Sequence, residues 1–140
     1  HMVDLLDVDP RDRVLEIGTG CGYHAAVTGE IVGDGNVFSV EYDPDLGEAA
    51  RQRLADLGYD VAVRIGDGRE GWPEEAPFDA SYLTCAAAEP PTDVIDQTAA
   101  DGVVVGPFGE GRQELKRLVV QPDGGYEAET IAPVRFVPMQ

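Results

Sequence analysis

The 140-residue chain is predicted to fold as an α/β protein, with a doubly wound, mostly parallel sheet and a C-terminal antiparallel hairpin. Three observations predict this. Short β-branched and aliphatic runs alternate with segments of helical periodicity. The first such run ends in glycines at 18, 20 and 22, a strand, tight turn and helix start that lets a ligand lie against bare backbone. The last third loses the helical period and reads as two extended runs around Pro122-Asp123-Gly124-Gly125.

The elements follow in order. Residues 13–17 are the first strand. The helix after the glycine turn is expected to bury Tyr23, Ala26, Val27 and Ile31, and Gly33-Asp34-Gly35 ends it. Residues 36–41 form a second strand with an acid at its end. Asp43 then supplies an N-cap and Pro44 a first-turn proline for a helix burying Leu46, Ala50, Leu54 and Leu57, which Gly58 stops. Residues 61–65 are the third strand and Phe78–Leu83 the fourth, followed by small residues at 84–88. A short helix is expected near 92–98 and a fifth strand over 103–105, closed by Gly106-Pro107-Phe108-Gly109. The hairpin strands are 115–121 and 126–131. Connections of this kind imply a Rossmann-like sheet and one domain over 1–140.

Composition narrows the function classes. No apolar run approaches the roughly 18 residues of a membrane span, and the first ten residues, with three aspartates, do not read as a signal peptide. The net charge is −17, from 27 acids against nine arginines and the single Lys116. The acids are scattered over the chain. Such a surface points to a halophilic protein in a salty cytoplasm, where a Debye length of about 3 Å screens self-repulsion. The rival reading is an acidic protein with a basic partner. Either way, no basic stripe is present for nucleic acid. Cys21 and Cys85 have neither disulfide-framework nor zinc spacing, and His1 and His24 make no metal set. A reduced cytoplasmic location and a monomer or weak oligomer are expected.

Three strand-end loops carry the chemistry. In the first, the missing side chains at 18, 20 and 22 permit close approach to a helix N-terminus. Otherwise it is a plain tight turn. In the second, Glu41 ends the second strand, 19 positions beyond Gly22, where a carboxylate accepts both hydroxyl protons of a ribose. The third is Asp67-Gly68, where an aspartate accepts from an adenine amine and the glycine leaves room for the ring, unless the pair is only a turn. Together they suit an adenosine with a short charged extension. Nicotinamide dinucleotides also fit an acid after the second strand. The Gly-x-Gly-x-Gly spacing, Glu16 and Asp67 favour S-adenosyl-L-methionine as cofactor. No nucleophile–base pair is evident, and no catalytic residue is assigned. A carboxylate acceptor needs no general base, because it is already nucleophilic at neutral pH; proximity and alignment supply much of the rate.

Six segments resemble the protein-L-isoaspartate O-methyltransferase family, of the archaeal kind: VLEIGTGCGYHAAV (14–27), VFSVEYDPDL (37–46), IGDGREGWPEEAPFDA (65–80), AAAEPP (86–91), DGVVVGPFG (101–109) and RFVPM (135–139). They run in the family's order, and the stretch after the third strand is far more specific than the glycine loop. The resemblance implies a class I methyltransferase fold and methyl transfer to the α-carboxylate of L-isoaspartyl residues in damaged proteins. It implies that Glu16, Gly18, Thr19, Gly20, Gly22, Glu41, Tyr42, Asp67 and Gly68 line the cofactor site. It further implies that the 84–88 run, with Thr84 and Ala86, and the closing strand, with Val137, approach the isoaspartyl peptide. The family also carries an N-terminal segment with a Thr-x-Ser-x-Pro-His-type stretch that covers the cofactor. Without it, the expectation is a retained fold and cofactor site with weak or no repair activity. The alternatives are another class I methyltransferase, acting on a small molecule or tRNA, or a non-catalytic S-adenosylmethionine-binding fragment.

Overall fold

The computed structural model describes residues 2–140; His1, and the part of the histidine reading that rests on it, lies outside the described residues. Seven strands form one sheet: β1 (Val14–Ile17), β2 (Val37–Glu41), β3 (Ala62–Ile65), β4 (Phe78–Leu83), β5 (Thr98–Phe108), β6 (Gln113–Val120) and β7 (Tyr126–Val134). Three α-helices accompany it: α1 (Tyr23–Val32), α2 (Pro44–Asp56) and α3 (Thr92–Asp96). The strand order is β3-β2-β1-β4-β5-β6-β7. Strands β1 to β5 pair in parallel, and β6 and β7 add antiparallel. The chain winds outward from β1 to β3, then crosses back to β4 on the other side of β1. That reversal leaves a crevice beyond the carboxyl ends of β1 and β4.

Period-two alternation sorts the buried side chains. Leu15 and Ile17 join Phe38, Val40, Phe78 and Val94 in one core. Val14 joins Ala25 and Val32 of α1, Leu54 of α2 and Tyr82 in the other. Both helices that follow β1 and β2 therefore cover the second face, while α3 lies over the first.

The structure corrects several elements. Helix α1 buries Ala25, Thr28, Gly29 and Val32, and leaves Tyr23 63% and Ile31 40% exposed. Its sequence is apolar on most sides, so periodicity alone could not choose the face. Small residues let it lie close to the sheet. In α2 the Asp43 side chain accepts from the Asp45 and Leu46 amides, with Pro44 in the first turn, as expected. Ala50 and Leu54 are buried, but Leu46 and Leu57 are exposed. Strand β5 begins at Thr98, not Val103; a register shift and the left-handed Asp101 accommodate a Thr-Ala-Ala-Asp-Gly stretch with little strand propensity. Helix α3 accordingly stops at Asp96. Strand β7 continues to Val134. Among the described residues no helix is long and apolar enough to cross a membrane.

Candidate active-site cavity

A cavity of about 290 Å³ opens at the carboxyl ends of β1 and β2. Its walls include Gly18 and Gly20 of the glycine loop, Glu41 and Tyr42 after β2, Leu46 of α2, Gly68, Thr84 and Val137. Ile17 and Val40 form its apolar floor.

The loop is built from β1 outward. Gly18 donates to the Val40 carbonyl at 2.8 Å and its own carbonyl accepts from the Thr84 hydroxyl at 2.5 Å. A Cβ on Gly18 would lie 2.3 Å from Thr84 Oγ1, and the residue has φ +96°, so only glycine fits here. Gly20, also at positive φ, has open space where a Cβ would stand. Its amide donates to Glu41 Oε1 at 2.8 Å, while Glu41 Oε2 accepts from the Asp43 amide at 3.1 Å. One nearly buried carboxylate thus ties the loop to the start of α2 and still has lone pairs toward the cavity. Gly68 is tight against Ile17: an added Cβ would fall 2.4 Å from Cγ2.

Under the loop lies a row of buried polar groups. Glu16 is fully buried; Tyr82 donates to its Oε2 at 2.6 Å and Ser39 donates to its Oε1. Ser39 also meets Thr19 Oγ1 at 2.6 Å. Burial pushes the Glu16 carboxyl up to about 7; the Ser39 and Tyr82 hydroxyls oppose that rise, and the Glu41 charge adds to it. Burial and the Glu16 charge also raise the Tyr82 phenol well above its ordinary range.

The opposite wall is a strap of backbone. The Ala86 amide donates to the Val137 carbonyl at 2.8 Å, and the Met139 amide to the Ala86 carbonyl at 2.7 Å. Arg69 reaches across to donate to the Gln140 carbonyl at 2.7 Å. Cys85 also faces the cavity; burial pushes its thiol up to about 11, so it is neutral at physiological pH.

The structure therefore brings together Gly18, Gly20, Glu41, Tyr42, Gly68, Thr84 and Val137. Five expected lining residues stand elsewhere. Glu16 and Thr19 lie beneath the loop because residue 16 points to the α1 face and residue 17 to the cavity. Gly22 packs on Leu54 as the N-cap of α1. Asp67 caps the turn that follows it, accepting from the Arg69 amide at 2.9 Å, outside the cavity wall. Ala86 is buried and borders a neighbouring groove with Arg69, Glu89 and Met139. Cys85 belongs to the 84–88 run expected at the site, whereas sequence reasoning missed Leu46 and Arg69. Leu46 had a usable signal, since an exposed leucine in the first turn after a strand-end acid is placed to cover a ligand.

The whole chain, residues 1–140, matches the model of the family described as protein-L-isoaspartate(D-aspartate) O-methyltransferase. The chain belongs to this family. Among protein-L-isoaspartate O-methyltransferases, number 2 of Archaeoglobus fulgidus is 48% identical over 99% of the chain and 64% of its own length. That of Ignicoccus hospitalis is 43% identical over 99% of the chain and 67% of its own. The chain thus spans about two thirds of the length of these relatives. A solved protein-L-isoaspartate O-methyltransferase superposes with a TM-score of 0.93 at 31% identity, covering 99% of this chain and 45% of the other. One from Plasmodium falciparum, in complex with S-adenosyl-L-homocysteine, gives 0.81 at 22% identity over 99% and 69%. The class I methyltransferase fold expected for the family is the fold observed.

Proposed function

We propose that the chain is a single S-adenosyl-L-methionine-binding domain that transfers methyl to the α-carboxylate of L-isoaspartyl residues. The observation that carries this reading is the convergence of Gly18, Gly20, Glu41, Tyr42 and Gly68 on one cavity in a member of this family. The cavity fits the cofactor on its own terms. Open space at Gly20 admits the amino-acid end against bare backbone. The Glu41 carboxylate, held by two amides, keeps lone pairs for ribose hydroxyls. Tyr42 and Leu46, both about half exposed, offer apolar surface to the base. Asp67 stands just beyond the wall, next to Gly68, with Oδ1 engaged by the Arg69 amide, so an adenine amine that extends past Gly68 would meet Oδ2.

The bound cofactor supplies an electrophilic methyl on a sulfonium. The protein's part is alignment and water exclusion, worth about 7–11 kcal/mol when the geometry is right. The acceptor carboxylate needs no base. It approaches between Thr84 and the strap at Val137, and the neutral Cys85 thiol does not compete as a nucleophile. The acidic surface supports a salty cytoplasm as working environment and argues against a nucleic-acid acceptor.

The test is calorimetric titration of S-adenosyl-L-homocysteine at molar KCl, with NAD as control, followed by methylation of an isoaspartyl peptide. Binding of the first ligand alone and methylation of the isoaspartyl form alone are expected. A folded sample that binds neither ligand, or methylates the normal aspartyl peptide equally, would overturn the reading.

A further inference from the structure

The Ser39–Glu16–Tyr82 row crosses three strands because β1 pairs in register on both sides, with Glu16 opposite Ser39 and opposite Tyr82. Two hydroxyl arms leave the carboxyl group. The loop arm runs from Ser39 to Thr19, inside the glycine loop. The helix arm runs from Tyr82 to Thr28 of α1 at 3.0 Å, and Thr28 ends on the His24 carbonyl at 2.9 Å. We infer that Tyr82 is a positioning residue for the cofactor loop: it absorbs changes in the protonation state of Glu16 on the helix arm, so that the loop arm keeps one hydrogen-bond arrangement. The inference rests on the reading of the cavity as a cofactor site.

Each hydroxyl has one proton to donate, and that count decides which arm moves. With Glu16 ionised, the carboxylate only accepts. Tyr82 and Ser39 both donate to it, and Thr19 donates to Ser39. With Glu16 protonated, its own proton needs an acceptor, so one arm must reverse. Reversal of the helix arm satisfies every group: Glu16 donates to Tyr82, Tyr82 to Thr28, and Thr28 to the His24 carbonyl, which accepts in either state. Reversal of the loop arm would turn the Thr19 proton out with no acceptor among the described residues, at the cost of a buried unsatisfied donor. The helix arm therefore takes the proton. The groups facing Glu16 are Ser39 of β2, Tyr82 of β4 and, behind them, Thr19 of the loop and Thr28 of α1; the Glu41 charge at the end of β2 also bears on it. Removing the Tyr82 hydroxyl leaves Ser39 as the only acceptor for the Glu16 proton among the described residues and passes the disturbance into the loop.

The experiment uses the full chain and Tyr82→Phe, which conserves volume, between pH 6 and 9. The readouts are the Thr19 and Gly20 amide resonances and the affinity for S-adenosyl-L-homocysteine. In the wild type the Glu16 carboxyl titrates while both amides and the affinity stay constant. In Tyr82→Phe the amides follow the Glu16 titration, and affinity falls toward the acid end by about tenfold, the scale of one buried unsatisfied hydroxyl donor. Ser39→Ala, which cuts the loop arm itself, weakens binding equally at every pH. Amides in Tyr82→Phe as constant as those of the wild type, or an affinity loss independent of pH, would overturn the inference. If the wild type binds no S-adenosyl-L-homocysteine, the cofactor reading falls, and the amide titration still decides the role of Tyr82.

Discussion

The two walls of the cavity are held in different ways. The loop wall hangs on side chains: Glu41 fixes the Gly20 amide, Thr84 the Gly18 carbonyl, and the Glu16 row supports Thr19 from below. The strap wall hangs on backbone: Ala86 exchanges two main-chain bonds with Val137 and Met139, and Arg69 adds a bond to a carbonyl. A wall built from specific side chains is rigid and easily broken by one substitution. A wall built from backbone tolerates changes of side chain, as at Val137, which is 72% exposed. The rigid wall is the one proposed to face a constant cofactor. The tolerant wall is the one proposed to face peptides of varying sequence.

The largest effect should come from Gly18→Ala. The new Cβ meets Thr84 at an unfavourable φ, and a misplacement of about 1 Å costs roughly a hundredfold. Affinity for S-adenosyl-L-homocysteine, measured by calorimetry, should fall by about that factor. Wild-type affinity in this variant would mean that the loop wall is not rigid.

The next effect is on stability. The folded state holds the Glu16 proton up to about 7, against an ordinary value of 4.5. The unfolded chain binds fewer protons in that window, so stability falls as pH rises through it. This contribution is fully present below pH 4.5 and is lost by about pH 7, where the difference reaches about 3 kcal/mol. Glu16→Gln should remove the loss, and its advantage over wild type in denaturant unfolding should grow from pH 4.5 to 7. A constant difference across that range would show that Glu16 titrates normally.

Glu41→Gln should weaken S-adenosyl-L-homocysteine binding by about tenfold, because the single side-chain oxygen serves only one of the two backbone amides and the charge-assisted acceptor is gone. NAD affinity is the control.

Arg69→Ala should matter least. Its guanidinium is half exposed, and the strap retains its bonds to Ala86. The KM for an isoaspartyl peptide should rise about twofold, with cofactor affinity unchanged. A fall in cofactor affinity as large as that of Glu41→Gln would erase the distinction between the walls.

Much of the parallel half was legible in sequence because its strands are short apolar runs bounded by glycine and by a capped helix. Asp43-Pro44 marked the start of α2 to the residue. The first residues of β5 were illegible, since Thr-Ala-Ala-Asp-Gly becomes a strand only by pairing at Phe78 and then shifting register. The buried face of α1 was illegible because that helix is apolar almost all round, and the polar row beneath it chose Thr28. Leu46 fitted the buried face of α2 by spacing but sits where the cavity removes its neighbours.

From the sequence alone came the order of strands and helices, the glycine loop, the acid after β2 and the family resemblance. These are local facts, written in residue type and spacing. Only the tertiary structure separated Glu16 from Ile17. Adjacent side chains of a strand point to opposite faces, and which face holds the cavity depends on the helices packed there. It likewise turned Asp67 into a cap, made Ala86 a backbone partner of the strap, and set Tyr82 against Glu16 across 66 residues of chain. Such pairings arise from register between distant strands, which no local spacing encodes.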